Sequence, residues 1–164
     1  MPTYERSLFI PRPVEETFAF VSDFRNAQKW DPRTFRADKV TDGPIGLGTR
    51  FVLRGGAVPK YLVPGILSPI LEPLLAMPLP YDVVTYTPPS EFVLAGETPV
   101  FRYEDRITFA PEGRGTRLTY AAKLEFKGPF AIGNPALALM FKRIGDDATR
   151  DIPVTVVEGA ARAA

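Results

Sequence analysis

The amino-acid sequence predicts an α+β domain in which a long C-terminal helix packs against one antiparallel sheet of about seven strands. Three observations support this. Apolar residues recur every three or four positions over 134–151, as in an amphipathic helix. Nearly all of 37–127 consists of short segments typical of strands, several with alternating apolar and polar residues. Two short helical segments lie between the first strand and this region.

The composition limits the classes of function. A chain of 164 residues is most simply one domain, here 1–164. A net charge of +1 does not suggest a nucleic-acid partner, since such domains carry a basic face. Cysteine and histidine are both absent, which excludes disulfides and Ser-His or Cys-His catalysis. No signal peptide is visible at the N-terminus, so we expect a cytoplasmic protein.

The N-terminal region predicts a strand over 3–10 followed by two helices. Pro13 suits the first turn of a helix over 14–24, and Glu15 and Glu16 suit its positive end. The buried stripe of this helix comprises Val14, Phe18 and Val21. A second short helix or turn covers 24–30, where Trp30 is expected to plug the junction with the sheet.

Six further strands are predicted over 37–41, 49–54, 81–87, 91–97, 100–110 and 116–127. In the last of these, the even-numbered residues from Leu118 to Phe126 are mostly apolar and the odd-numbered ones largely charged. This alternation indicates a sheet with one face buried and the other in water. Asp105 breaks the pattern, because it is a carboxylate on the apolar face of its strand.

The closing helix is predicted over 134–151. Asn134 is expected to cap it, Pro135 suits its first turn, and Pro153 is expected to end it. Its apolar stripe comprises Leu137, Met140, Phe141, Ile144 and Ala148. The tail over 158–164 is expected to be frayed.

With these elements in place, the sequence resembles the helix-grip superfamily: START domains, Bet v 1 allergens and the bacterial polyketide cyclase/dehydrase-like (SRPBCC) proteins. The matching stretches cover nearly the whole chain; they are Phe9-Ile10-Pro11-Arg12-Pro13-Val14-Glu15-Glu16-Thr17-Phe18, Asp23 through Trp30-Asp31-Pro32, Gly46-Leu47-Gly48-Thr49-Arg50-Phe51, Tyr86-Thr87-Pro88-Pro89, Gly115-Thr116-Arg117-Leu118-Thr119-Tyr120 and the closing helix. The resemblance implies a curved antiparallel sheet that grips the C-terminal helix around a hydrophobic cavity. It also implies a lipid, sterol, quinone, polyketide or hormone as ligand, or cyclisation or dehydration chemistry. The superfamily shares no catalytic motif, so no catalytic residue is assigned by position.

The expected ligand-binding residues are inward-facing side chains of the sheet and the closing helix. They are Phe51, Leu53, Phe92, Leu94, Phe101, Tyr103, Asp105, Ile107, Leu118, Tyr120, Leu137, Met140, Phe141 and Ile144. A buried carboxylate needs a partner or a proton, so Asp105 is expected to pair with an arginine or a tyrosine. The other interpretation is that it acts as an acid or a polar anchor with Tyr103, Tyr120 or Tyr86. Neither a metal site nor a cofactor is predicted.

An apolar, proline-rich insertion at about 57–80 separates two strands that a hairpin would normally join. Prolines every few residues argue against a membrane span. Its side chains must still be covered, either by packing or in a homodimer, or by serving as a lid or a peripheral membrane contact. The residues concerned are Leu62, Ile66, Leu67, Ile70, Leu71, Leu74, Leu75 and Met77.

Three functions remain open at this stage. The first is binding of a hydrophobic small molecule for transport, storage or sensing, which the absence of histidine and cysteine favours over catalysis. The second is a polyketide cyclase or dehydratase that uses Asp105 and tyrosines. The third is a dimerising scaffold with a collapsed cavity. Cavity volume separates the third, since ligand pockets reach about 300 Å³ or more.

Overall fold

A computed structural model describes residues 2–55 and 76–163 of the chain. The strands are β1 (Thr3–Ile10), β2 (Thr34–Lys39), β3 (Arg50–Gly55), β4 (Leu79–Thr87), β5 (Glu91–Glu97), β6 (Phe101–Glu112) and β7 (Gly115–Phe126). The α-helices are α1 (Val14–Ser22), α2 (Ala27–Trp30), α3 (Asn134–Thr149) and α4 (Ile152–Ala163). Short 3-10 helices cover Phe24–Asn26 and Gly128–Gly133.

The described strands form one seven-stranded antiparallel sheet in the order β1-β7-β6-β5-β4-β3-β2. The predicted sheet is therefore confirmed, although β2 begins at Thr34, three residues before the predicted start at Ala37. The alternation in β7 holds: Leu118, Tyr120 and Leu124 are buried, whereas Arg117 and Lys123 are exposed. The apolar face of the sheet carries the core, and the charged face is in water.

The N-terminal helices close one end of this core. The buried residues of α1 include Val14, Phe18 and Val21, as the sequence predicted. Trp30 is 2% exposed and its ring packs beside those of Phe20 and Phe24 at 6.1 and 6.2 Å. Trp30 is therefore buried where the N-terminal helices meet the core.

Two predictions for the C-terminal region were wrong, those for the cap of the long helix and for the tail. Asn134 does not cap α3, because the 3-10 helix over Gly128–Gly133 leads directly into it. Its amide instead pairs with the backbone of Phe126, accepting from N–H at 2.8 Å and donating to C=O at 3.2 Å. The long helix ends before Pro153, at Thr149, as predicted. Pro153 itself lies in the first turn of a second helix that was not predicted, α4, where a missing N–H removes no helical bond. The tail, predicted to fray from 158, continues in α4 to Ala163.

Candidate functional site

A cavity of about 100 Å³ lies between the inner face of the sheet and α3. Its apolar wall comes from β3, β4, β7 and α3 and includes Leu53, Leu79, Leu124, Phe141, Ile144 and Ala148. Its polar lining comes from the turn before β2 and from β4, β6 and β7 and includes Asp31, Arg33, Thr34, Tyr81, Asp105 and Tyr120. The arrangement offers a small apolar volume with hydrogen-bonding groups on one side.

Asp105 is the buried carboxyl of this site. It lies on β6 between Leu94 of β5 and Ala122 of β7, and it is 6% exposed. The phenols of Tyr120 and Tyr81 interact with it and favour its charged form. Burial has the larger effect and raises the pKa of Asp105 to about 7. A carboxyl with this pKa can both give and take a proton near neutral pH.

The tyrosine partners of Asp105 were predicted only in part. Tyr120 interacts with it, whereas the Tyr103 hydroxyl donates to the Pro80 carbonyl at 2.6 Å. Tyr86 does not line the cavity; its ring packs against Phe18 and Phe92, at 5.4 and 6.2 Å.

Tyr81 is the partner that sequence reasoning missed. A register shift between Val83 and Thr85 changes the alternation along β4, so that Tyr81 and Tyr86 both face the core. Tyr81 could have been identified from strand pairing, because it lies opposite Phe51, a fully buried residue of β3. Burial and the charge of Asp105 raise the pKa of both Tyr81 and Tyr120, so both phenols stay protonated and can donate.

Arg33 was also missed, because the Asp31-Pro32 pair was interpreted only as the end of a helix. Its Nη2 donates to the Ile144 carbonyl of α3 at 3.0 Å, and its Nε donates to Asp31 at 3.3 Å. Asp31 also accepts from the Thr34 hydroxyl at 2.9 Å. The Nη1 atom of Arg33 is buried and has no hydrogen-bond partner among the described residues. A buried, unpaired guanidinium N–H is costly, so this atom is suited to an incoming acceptor.

The structure divides the predicted ligand-binding residues into two groups. Leu53, Tyr103, Asp105, Tyr120, Phe141 and Ile144 line the cavity. The other eight do not line it. Met140 is half-buried. The remaining seven are packed in the core with at most 1% of each residue exposed; they are Phe51, Phe92, Leu94, Phe101, Ile107, Leu118 and Leu137. The interior formed by the described residues is therefore largely filled. The cavity is smaller than the roughly 300 Å³ typical of ligand pockets, so its volume taken alone favours a collapsed cavity.

The predicted lid or membrane residues Leu62, Ile66, Leu67, Ile70, Leu71, Leu74 and Leu75 lie outside the described residues. Met77 is described and packs, half-buried, against the core. Within 2–55 and 76–163, no three acidic residues group closely enough to hold a metal ion. The same part of the chain contains no helix that is long and apolar enough to span a membrane.

Comparison with known proteins places the fold among helix-grip proteins. The structure superposes on TTHA0849 from Thermus thermophilus with a TM-score of 0.68 at 15% identity, covering 96% of this chain and 99% of that one. A START superfamily protein from Mycobacterium smegmatis gives a TM-score of 0.64 at 16% identity, with 96% and 95% covered. The di-domain ARO/CYC StfQ from the steffimycin biosynthetic pathway gives 0.65 at 14% identity, covering 97% of this chain and 51% of StfQ. These likenesses confirm the predicted fold.

A family model provides the assignment that structural likeness alone does not. No curated protein matches the sequence. The model described as polyketide cyclase / dehydrase and lipid transport matches residues 1–153, nearly the whole chain. The chain therefore belongs to the polyketide cyclase/dehydrase and lipid transport family of the helix-grip (SRPBCC) superfamily.

Proposed function

We propose that this protein binds an apolar small molecule that carries a neutral oxygen acceptor, with the acceptor at Arg33 and Asp105. The observation behind the proposal is the buried Nη1 of Arg33, which has no described partner although Arg33 lines a cavity with an apolar wall. Membership of a family that covers lipid transport and polyketide chemistry supports a hydrophobic ligand.

The charges around the cavity favour a neutral ligand over an anionic one. Asp31 already forms an ion pair with Arg33, and Asp105 adds a second carboxyl to the same lining. A ligand carboxylate would bring another negative charge beside them in a region of low dielectric constant. A carbonyl oxygen instead accepts hydrogen bonds from the guanidinium, the phenols or a protonated Asp105 without adding charge.

The volume of the cavity limits the part of the ligand that enters it. An apolar cavity of about 150 Å³ binds benzene, so one of about 100 Å³ admits less than a benzene ring, such as a short chain or the acetyl end of an aryl ketone. A larger lipid or polyketide would require α3 to move away from the sheet. The first probes should therefore be small.

The proposal is tested by a cycle of two ligands and two proteins. Acetophenone and ethylbenzene are similar in shape, but only the first has a carbonyl oxygen. We expect Arg33→Met to lower the affinity ratio of acetophenone to ethylbenzene about tenfold, since hydrogen bonds to charged groups contribute about 1.5–3 kcal/mol. Affinities are measured by chemical-shift titration, and Arg33→Lys shows whether charge alone is sufficient.

The control is Arg36→Met, which changes the same residue type on β2 at a side chain that is 63% exposed. It should leave both affinities unchanged. An unchanged ratio in Arg33→Met would contradict the carbonyl contact, and failure of both probes to bind the wild type would contradict ligand binding in this cavity.

A second function is supported by the pKa of Asp105, about 7, beside two phenols. In a cyclase or dehydratase, its carboxylate would remove the α-proton of a ketone. The enolate carbon would then attack a second carbonyl, and the protonated carboxyl would give its proton to the resulting alkoxide. The carboxylate would next remove a second α-proton and deliver it to the new hydroxyl group, which leaves as water while the C=C bond forms. Conversion of 2,6-heptanedione to 3-methylcyclohex-2-enone plus water is a balanced small test reaction.

Asp105→Asn separates the two functions. If the protein is a cyclase, this variant should still bind acetophenone, because the asparagine amide can donate a hydrogen bond as the protonated carboxyl does, but it should lose turnover of the diketone, because the amide is not a base. No turnover by the wild type, or equal turnover by the variant, would remove Asp105 from catalysis. Neither turnover result would contradict the proposal of ligand binding, which is tested at Arg33.

A further inference from the structure

One edge of the sheet, β2, has the backbone and charge pattern of a strand that pairs with itself. β2 is the last strand in the sheet order and pairs only with β3 among the described strands. Its residue Phe35 is 75% exposed, and Val40 just beyond it is 54% exposed. An open strand edge with exposed apolar side chains tends to pair with another strand unless it is protected.

The hydrogen bonds to β3 show which backbone groups of β2 point outward. Val40 N–H donates to the Arg50 carbonyl at 2.9 Å. In the same register, Asp38 lies opposite Val52 and Arg36 lies opposite Arg54. Antiparallel pairs alternate, so residues 36, 38 and 40 bond toward β3. The N–H and C=O groups of Ala37 and Lys39 therefore point away from the sheet.

The charged side chains of β2 are arranged so that two copies of the strand, paired antiparallel about Ala37, bring opposite charges together. In an antiparallel pair with a two-fold axis at this residue, Ala37 opposes Ala37 of a second copy, and Arg36 opposes Asp38. The two opposed side chains are in a non-hydrogen-bonded pair, in which Cα atoms approach to about 4.5 Å. Arg36 and Asp38 already share one face of β2, with Arg36 Nε 2.7 Å from Asp38 Oδ2. The two-fold axis therefore creates two Arg–Asp contacts between copies and no contact between like charges.

We propose that β2 is a homodimer interface, in which two copies pair their β2 strands antiparallel about Ala37 and form a continuous sheet. Backbone hydrogen bonds of Ala37 supply the register, and the Arg36–Asp38 contacts select it. The other edge, β1, lacks such an Arg–Asp pattern, since Glu5, Arg6 and Ser7 occupy its centre.

The test is a charge swap followed by sedimentation velocity. We expect the wild type to dimerise and Asp38→Arg, which places Arg opposite Arg, to raise the dimer dissociation constant at least about tenfold. The double variant Arg36→Asp/Asp38→Arg restores complementarity and should return the constant to within about threefold of the wild type. An exposed ion pair contributes little to folding, so all variants should fold.

The matched control is Glu5→Arg, the same kind of charge change on the opposite edge strand. It should leave dimerisation unchanged. A wild type that stays monomeric up to about 0.5 mM, a double variant that fails to recover, or an equal loss in Glu5→Arg would each overturn the proposal.

Discussion

The interior of the protein has two halves that are filled differently. In the aromatic half, formed by Phe18, Tyr86, Phe92 and Phe109, rings meet at steep angles; Phe18 lies 5.2 Å from Phe109 and 5.4 Å from Tyr86. In the polar half, formed by Arg33, Tyr81, Asp105 and Tyr120, a cavity of about 100 Å³ remains. Both halves lie on the same inner face of one sheet.

The difference shows that apolar alternation alone does not indicate a cavity. Interlocked aromatic rings fill space at close to crystal density. Carboxyl, phenol and guanidinium groups must instead be placed for hydrogen bonds, which prevents dense packing around them. A ligand site is therefore expected where the apolar face is interrupted by polar groups, and not where it is most apolar.

The largest expected difference between the halves comes from a matched pair of leucines. Leu118 is fully buried opposite Phe109, whereas Leu53 is 6% exposed and lines the cavity. We expect Leu118→Ala to lower the free energy of unfolding by about 4–5 kcal/mol and Leu53→Ala by about 3 kcal/mol, because the open site relaxes more easily. Urea denaturation measures both, and equal losses would contradict the distinction.

Asp105 makes the polar half sensitive to pH. Its pKa rises from the ordinary 3.8 to about 7 on folding, so the folded state binds its proton more tightly. This contribution to stability is fully present below about pH 4, is lost as pH rises toward about 7, and amounts to about 4 kcal/mol. Denaturation at several pH values should show a smaller decline in Asp105→Asn; identical profiles would contradict the raised pKa.

Gly145 tests how closely α3 approaches the sheet beside the cavity. A Cβ atom at this position would lie 2.4 Å from the ring of Tyr4, which is 6% exposed and hydrogen-bonded to Asp146. We expect Gly145→Ala to lower stability by about 1–3 kcal/mol despite the better helix propensity of alanine.

Gly133 provides the control for this substitution, because its Cβ would lie 3.3 Å from the edge of the Phe126 ring. Gly133→Ala should change the midpoint of thermal unfolding little. A Gly145→Ala protein as stable as the wild type would show that Tyr4 moves freely.

The smallest expected effect is at Asn134, which bonds both backbone groups of Phe126 outside either half. Asn134→Ala should lower the free energy of unfolding by about 1–2 kcal/mol, the cost of leaving part-buried backbone groups unpaired. Asn134→Ser, an equally good cap but too short to reach both groups, should not restore the loss. Full restoration by serine would instead support a role of Asn134 as the N-cap of α3.

Most of the fold was predictable because strand alternation and helical spacing directly record which face is buried. Phe101, Ile107 and Leu118 were correctly placed on the inner face, and the anomaly at Asp105 correctly marked a buried carboxyl. The errors occurred where two local signals overlap. Asn134 is a good cap but follows a 3-10 helix, and Pro153, which was correctly predicted to stop the long helix, also lies in the first turn of a second helix that was not predicted.

The site was less predictable because its geometry depends on contacts distant in sequence. The pairing of β4 with β3, which sets Tyr81 opposite Phe51, turns Tyr81 toward the core and Asp105, and the register shift after Val83 turns Tyr86 into the aromatic half. No residue type marks that shift. Arg33 reaches the cavity through a hydrogen bond to Ile144, 111 residues later. Only a three-dimensional arrangement shows that its Nη1 has no described partner.

Native mass spectrometry of protein purified from its own host tests the central claim most directly. We expect the wild type to carry a small apolar molecule with a carbonyl group, visible as a discrete mass increment. Ala148→Leu, which fills the cavity, should lose it, whereas Ala138→Leu, on the exposed side of α3, should keep it. An adduct that survives in Ala148→Leu, or a wild type that carries none and binds neither acetophenone nor ethylbenzene, would contradict the account.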